Sequence, residues 1–245
     1  MKILILAAGY ATRLYPLTKH WPKPLLLIKE KPILSHILRK TEKLTELQDI
    51  YVVTNGKYFH QFQDWASYAG FKRKIVILND RTTSEKDRLG TIGDIHFAIT
   101  NFDLNDDLLI IGGDNLFTFD LQHFLDFARS KKDDCSVGLY DIKDPALVRH
   151  YGVVSLGETR KVVDFKEKPL KSDSTLISMC LYYFPRKSLK SIGEYVKRKD
   201  CHDTSGDYIQ WLYRKTDVWG YEFKGLWYDI GDIITFYHAS VNFKD

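Results

Sequence analysis

The sequence predicts an α/β chain organised on a doubly wound, largely parallel sheet. Two observations carry this expectation, and a third says where a ligand would sit. Apolar runs at 2–7, 49–54, 75–78 and 108–111 do not alternate with polar residues, as in strands covered on both faces. Helical stretches separate them, giving a strand–helix rhythm that builds βαβ units. Right-handed crossovers bring the loops after the first and fourth strands to one edge, and these loops hold the least ordinary residues of the chain.

The apolar run Ile3 to Ala8 lies behind Lys2 like the start of a signal peptide. It is too short for one, and Gly9-Tyr10 follows it, so a buried first strand is the better reading. A loop spans 8–24. A helix is expected over 33–44, where Ile33, Leu34, Ile37 and Leu38 share a face. The strand at 49–54 closes on Asn55-Gly56, a mixed helical stretch precedes the strand at 75–78, and 94–100 is helical. The strand at 108–111 ends in Gly112-Gly113-Asp114. The second half is richer in strands, at 136–141, 152–156, 162–166 and 178–184, the last stopped by Phe184-Pro185. Helices are expected at 189–199, at 207–214 with Asp203 or Thr204 as cap, and at 233–243. The aromatic alternation of 218–229 reads as extended, turning at Lys224-Gly225. No repeat, linker or domain boundary is visible, so 1–245 reads as one domain whose second half elaborates the same sheet.

The chain has 245 residues, 44% hydrophobic and 28% charged, with a formal net charge of +4. That is an ordinary globular composition, and the small basic excess suits a phosphate-rich small ligand without calling for nucleic acid. Three cysteines, Cys135, Cys180 and Cys201, give neither a disulfide framework nor a metal spacing, which points to a reducing cytoplasm. No segment is long enough to cross a membrane.

Three constellations suggest chemistry. Ala7, Ala8, Gly9 and Ala11 let backbone N–H groups approach an anion, Arg13 offers a planar fork of donors, and Lys23 stands between two prolines in Trp21-Pro22-Lys23-Pro24. The loop matches neither the P-loop nor the dinucleotide fingerprint, and by itself it reads first as a small-residue turn with surface cations. Asp114 and Asp229 follow two strands far apart in sequence. Two carboxylates suit Mg²⁺, and each could equally cap a turn. Finally, Tyr151-Gly152-Val153-Val154 and Phe165-Lys166-Glu167-Lys168-Pro169 would meet in a strand–turn–strand unit, placing a hydrogen-bond acceptor beside a cation, or else forming a solvated hairpin end.

The run Leu6 to Thr18, with Pro22-Lys23-Pro24-Leu25-Leu26 and Lys31-Pro32-Ile33, resembles the signature of the sugar-phosphate nucleotidyltransferases, the group of thymidylyl-, uridylyl- and guanylyltransferases acting on sugar 1-phosphates. Gly-Asp-Asn at 113–115, Trp-Tyr-Asp-Ile-Gly at 227–231, Leu-Gly-Thr-Ile-Gly at 89–93, and the two segments around Tyr151 and Glu167 match in order, so the resemblance covers nearly the whole chain. It implies a Rossmann-like, GT-A-like mixed sheet in a single nucleotidyltransferase domain, with 1–120 mainly nucleotide-binding and 121–245 mainly sugar-phosphate-binding. It implies nucleotide contacts from Leu6, Ala8, Gly9, Tyr10, Ala11, Thr12, Arg13, Lys23, Leu89, Gly90 and Thr91. It implies sugar-phosphate contacts from Asn115, Tyr151, Gly152, Glu167, Lys168, Tyr182 and Trp227. Catalysis would fall to Arg13, Lys23 and Lys168, and Mg²⁺ to Asp114 and Asp229. Two departures stand out. Ala11 replaces a family glycine, tolerable where φ is negative, and Cys180 replaces another, narrowing the pocket. Asp232 reads as a helix cap.

The implied reaction condenses a nucleoside triphosphate, dTTP or UTP first, with a sugar 1-phosphate such as glucose 1-phosphate. Mannose-1-phosphate guanylyl transfer, or cytidylyl transfer to a non-sugar acceptor, is the alternative. A silent nucleotide-sugar sensor is the reading outside enzymes. Neither nucleic acid nor membrane is an expected partner, relatives form dimers or tetramers, and the added β-helix of larger relatives has no room here.

Overall fold

Residues 1–244 are described in the computed structural model. Strand β1 (Lys2–Leu6) is followed by the short hairpin β2 (Leu27–Ile28) and β3 (Lys31–Pro32), helix α1 (Ile33–Thr41), β4 (Ile50–Thr54), α2 (Phe59–Tyr68), β5 (Ile75–Asn79), α3 (Gly90–Asn101) and β6 (Leu108–Gly112). The order β6-β1-β4-β5 is parallel throughout, as the strand–helix rhythm predicts. β1 steps to β4 and β5 on one side, and β6 returns to the other. The ends of β1 and β6 therefore flank the switch point, where open α/β sheets bind ligands.

The second half contributes β7 (Asn115–Phe117), α4 (Gln122–Ser130), β8 (Cys135–Asp141), β9 (Gly152–Leu156), β10 (Val162–Glu167), β11 (Leu176–Phe184), α5 (Leu189–Val196), α6 (Ser205–Leu212), β12 (Val218–Glu222), β13 (Trp227–Asp229) and α7 (Ile233–Asn242). β11 pairs antiparallel to β6 and carries β8 and β9 into the same sheet, which β12 extends parallel to β8. The sheet buries both faces. Ile3 and Ile5 point into a core with α1, α2 and α4, while Leu4 points into another with α3, α5 and α6.

Four departures from the sequence expectation shape the fold most. α1 stops at Thr41, whose hydroxyl donates to the Leu38 carbonyl at 2.7 Å. α3 begins at Gly90, not at residue 94. Gly90 has φ +73°, and a Cβ there would overlap Asp203, whose carbonyl accepts the Ile92 N–H at 3.3 Å. α4 is a helix in a stretch expected to be strand-rich, and Leu121, Phe124, Leu125 and Ala128 line its buried side. The extended stretch 218–229 divides between two sheets: β12 joins the large one, while β13 pairs antiparallel with β7. That division positions the site, because register sets Asp229 opposite Asn115 and the Ile230 N–H donates to the Asp114 carbonyl at 3.2 Å. Thr204 and Asp232 cap α6 and α7, the latter through a reciprocal capping box with Thr235.

Candidate active site

Two cavities open along the sheet edge. The first, of about 320 Å³, is walled by Leu6, Ala7, Ala8 and Gly9 where β1 ends, by Lys23 and Pro24, and by Gly90 and Thr91 at the start of α3. The small residues matter sterically. The Gly113 N–H donates to the Leu6 carbonyl at 2.8 Å, and a Cβ at Gly113 would come within 2.8 Å of that same oxygen. Strand ends can approach this closely only without a side chain.

The second cavity, of about 770 Å³, holds Arg13, Asn115, Tyr151, Gly152, Glu167, Tyr182, Trp227 and Asp229. β9 and β10 form the expected antiparallel unit, with Glu167 opposite Gly152 and the Lys168 N–H on the Tyr151 carbonyl at 3.0 Å. Gly152 and Gly206 make room for Glu167. A Cβ on Gly152 would stand 2.9 Å from Oε2, and one on Gly206 would overlap the carboxylate. Asn115 is buried and held at both ends of its amide, accepting from the Trp227 indole at 2.6 Å and donating to the Gly112 carbonyl at 3.2 Å. Tyr182 is buried, with its hydroxyl donating to Ser205 at 3.0 Å.

Asp114, Lys168, Thr91, Cys180 and Thr204 line both cavities, so these residues form the junction. Lys23 donates to Asp114 at 2.7 Å. Burial, and next the neighbouring Asp114, push the Asp229 carboxyl above its usual range, against the pull of Lys23 and Arg13. Burial raises Glu167 as well, opposed by Lys168, which stands 3.6 Å from it. Burial pushes the Cys180 thiol up to about 12, and Cys180 has φ +54° where the pairing of β11 with β8 shifts register. Its side chain fills part of the junction, as the replacement of glycine implies.

Of the nucleotide-side residues read from sequence, Leu6, Ala8, Gly9, Lys23, Gly90 and Thr91 converge on the first cavity. Arg13 goes to the second, carried there by the 3-10 turn Thr12–Leu14. Tyr10, Ala11, Thr12 and Leu89 line neither cavity. Tyr10 is buried and shares a 3.0 Å hydrogen bond with Thr82. Ala11 does not meet the condition under which its methyl group is easily tolerated: φ stands at +48°, in the left-handed region. The Thr18 hydroxyl and the Leu14 N–H both donate to its carbonyl, at 2.7 and 3.0 Å, and these bonds fix the conformation. Ala11→Gly is therefore expected to stabilise the chain by about 1 kcal/mol, raising Tm by roughly 2–4 °C. A lower Tm would contradict the strain.

Sequence reasoning passed over Asp80, Arg88, Asp94 and Asp203 in the first cavity and Arg149, His150, Ser205 and Gly206 in the second. Asp94 directly follows the Leu-Gly-Thr-Ile-Gly segment, and Arg149-His150 directly precedes Tyr151, so adjacency to a motif was the available signal.

Residues 2–245 match the nucleotidyl transferase family model. The chain belongs to the nucleotidyl transferase family. Among its relatives, bifunctional protein GlmU of Methanocaldococcus jannaschii is 30% identical over 231 residues, which are 94% of this chain and 51% of that protein. The glucose-1-phosphate adenylyltransferase of Mycoplasma mobile is 26% identical over 99% of this chain and 66% of its own length. This nucleotidyl transferase thus spans about half the length of the GlmU relatives it matches. In fold it superposes on a Bacillus anthracis protein provisionally named a glucose-1-phosphate thymidylyltransferase, crystallised with a sucrose. The TM-score is 0.85 at 24% identity, covering 100% of this chain and 98% of that one. No helix among the described residues is long and apolar enough to cross a membrane.

Proposed function

We propose that this nucleotidyl transferase joins a nucleoside triphosphate to a sugar 1-phosphate, releasing pyrophosphate. The observation that carries the reading is the pair of cavities meeting at Asp114 and Lys168. One has a small-residue loop and a lysine suited to phosphates, and the other has the hydrogen-bonding walls suited to a sugar. A sugar-phosphate oxygen attacks the α-phosphorus in line, forming the new P–O bond. The bond from the α-phosphorus to the bridging oxygen breaks, and its electron pair leaves with pyrophosphate. The nucleophile is already anionic at neutral pH, so no general base is required. The obstacle is the approach of two anions. Lys23, Arg13 and Lys168, spread across the two cavities, offset it.

Asp114 and Asp229 fit a magnesium ion. They are hard oxygen donors brought together by the β7–β13 pair, and burial, then the neighbouring Asp114, raises the Asp229 carboxyl. Among the described residues no group of three or more His, Cys, Asp or Glu converges as metal ligands, so such an ion would take its remaining ligands from phosphate and water. When bound it supplies charge neutralisation of the phosphates. The motif wording favours dTTP or UTP with glucose 1-phosphate, and the reaction belongs in the cytoplasm, where these substrates are held.

The test is pyrophosphate release with Mg²⁺ over four nucleoside triphosphates, several sugar 1-phosphates and phosphocholine. The expected result is activity with a sugar 1-phosphate and a pyrimidine nucleotide. Activity with GTP and mannose 1-phosphate alone would keep the reaction class and replace the substrates. Silence throughout, from a chain that binds nucleotide-sugar, would make it a sensor.

A further inference from the structure

Tyr182 lines the second cavity, yet its hydroxyl is committed within the protein. The side chain is 2% exposed, its ring stacks on Phe184 at 5.6 Å, and its proton goes to Ser205 Oγ at 3.0 Å. A phenol has one proton. The hydrogen bond that Tyr182 shares with Ser178 at 3.2 Å is therefore donated by the serine. These two residues are four apart on β11, about 13 Å in a regular strand. The register shift between them, with Cys180 at φ +54°, bends the strand and lets the two hydroxyls meet. The chain of hydrogen bonds thus has a direction: Ser178 donates to Tyr182, and Tyr182 donates to Ser205.

Ser205 is where the chain ends. It opens α6, lines the second cavity and is 7% exposed. Its oxygen already accepts from Tyr182. Among the described residues its own proton meets no oxygen or nitrogen acceptor, and the Cys180 sulfur, at 4.0 Å, is a weak one. Gly206, the next residue, lies against Glu167, because a Cβ there would overlap the carboxylate. Among the described residues that carboxylate has one ion-pair partner, Lys168 at 3.6 Å, and no hydrogen bond joins it to Ser205. A donor without an acceptor and an acceptor short of a donor therefore share one wall. A single hydroxyl satisfies both, since its oxygen accepts from Ser205 while its proton goes to Glu167. An ammonium cannot accept, a phosphate oxygen cannot donate, and a C–H group does neither. We propose that Ser205 is a specificity-determining residue that donates to one hydroxyl of the sugar, the same hydroxyl whose proton Glu167 accepts. Tyr182 is then a positioning residue that acts through Ser205, in place of the direct sugar contact that the family resemblance implies for it. The inference rests on the sugar 1-phosphate reading above and extends it to the group that is read.

The test uses the full chain and measures kcat and KM by pyrophosphate release at saturating nucleoside triphosphate, for the wild type, Ser205→Ala, Ser205→Thr and Tyr182→Phe. The probes are glucose 1-phosphate and its 2-, 3-, 4- and 6-deoxy analogues, or the same set built on mannose 1-phosphate if that sugar alone is turned over. In the wild type, one deoxy analogue is expected to have a KM roughly tenfold above those of the rest. Ser205→Ala should raise KM for the parent sugar by a similar factor with a smaller change in kcat, and should shrink the penalty at that one position. Ser205→Thr, which keeps the hydroxyl, should restore both. Tyr182→Phe should give part of the same position-specific loss, because Ser205 keeps its proton and loses the bond that orients it. A merely structural role would weaken every substrate alike, and that outcome overturns the proposal. It is also overturned if Ser205→Ala leaves KM for the parent sugar within roughly twofold. A larger loss in Tyr182→Phe than in Ser205→Ala would place the phenol itself on the sugar and overturn it as well. A wild type that turns over every analogue equally defeats the hydroxyl reading alone; one that turns over no sugar 1-phosphate defeats the nucleotidyl-transfer reading itself.

Discussion

Replacing Asp114 with asparagine is expected to leave sugar phosphate bound and to lower turnover by roughly 10³-fold or more at saturating magnesium. The side chains are nearly isosteric, and an amide oxygen can still accept from Lys23, which now donates to Asp114 at 2.7 Å. The Ile230 N–H reaches Asp114 through the backbone carbonyl, so the β7–β13 junction survives the change. What disappears is a negative charge at the meeting of the two cavities. An ion held by two carboxylates loses half its protein charge, and with it the neutralisation of two approaching anions. Lys23, no longer paired with a carboxylate, cannot supply that function, because a compact ammonium does not bridge several phosphate oxygens as a divalent ion does. The decisive measurements are kcat from pyrophosphate release over a magnesium titration, and sugar-phosphate affinity without turnover. Near-normal kcat at high magnesium would remove the metal assignment. Loss of sugar-phosphate affinity together with kcat would show that Asp114 holds the wall and not an ion.

The sequence made the parallel half of the sheet legible because buried strands carry their own signature. Ile3, Ile5, Val52 and Ile111 are apolar whichever face they meet. It also located the residues of the junction, since Asp114 and Lys168 stand directly at strand ends. What it could not give was the partner of an element whose local pattern is silent. The three residues of β7 look like any loop after Gly-Asp-Asn, and only the long-range pairing with β13 makes them a strand. The same holds for Arg13. Its fork of donors was visible, but the turn at Thr12–Leu14 that sends it beside Asp229 depends on Ala11 taking a left-handed φ, which its side chain disfavours. Residue type argues against the observed conformation there, and two hydrogen bonds on the Ala11 carbonyl overrule it. Asp80 and Asp94 were hidden for a different reason. Each is an ordinary polar residue in its own segment, and only the fold brings the end of β5 and the first turn of α3 to the wall of one cavity.

Lys168→Ala is expected to lower kcat/KM for the sugar phosphate by roughly 10²- to 10³-fold, with Lys168→Arg recovering part of the loss. The position separates charge from backbone unusually well. Lys168 has φ +44°, and its N–H is fixed on the Tyr151 carbonyl at 3.0 Å. Alanine has the same Cβ and bears the same backbone strain, so the open end of the β9–β10 pair should keep its shape and Tm should change little. The side chain is half-exposed, stands 3.6 Å from Glu167, and lines both cavities. At 3.6 Å, with the lysine half-exposed, this pair contributes little to stability, which is why the lost activity cannot be ascribed to a lost ion pair. The charge matters when the two substrates arrive, because this cation is the one the two cavities share with Asp114 at their junction. Removing it also relieves the pull that keeps the Glu167 carboxyl from rising further. The pH below which Glu167 is protonated should therefore move upward in the variant, and the acid limb of its kcat/KM profile with it. A loss confined to the nucleotide KM would assign Lys168 to the triphosphate alone. Retention of kcat/KM within tenfold would mean that the charge at the junction is carried by Lys23 and Arg13 without it.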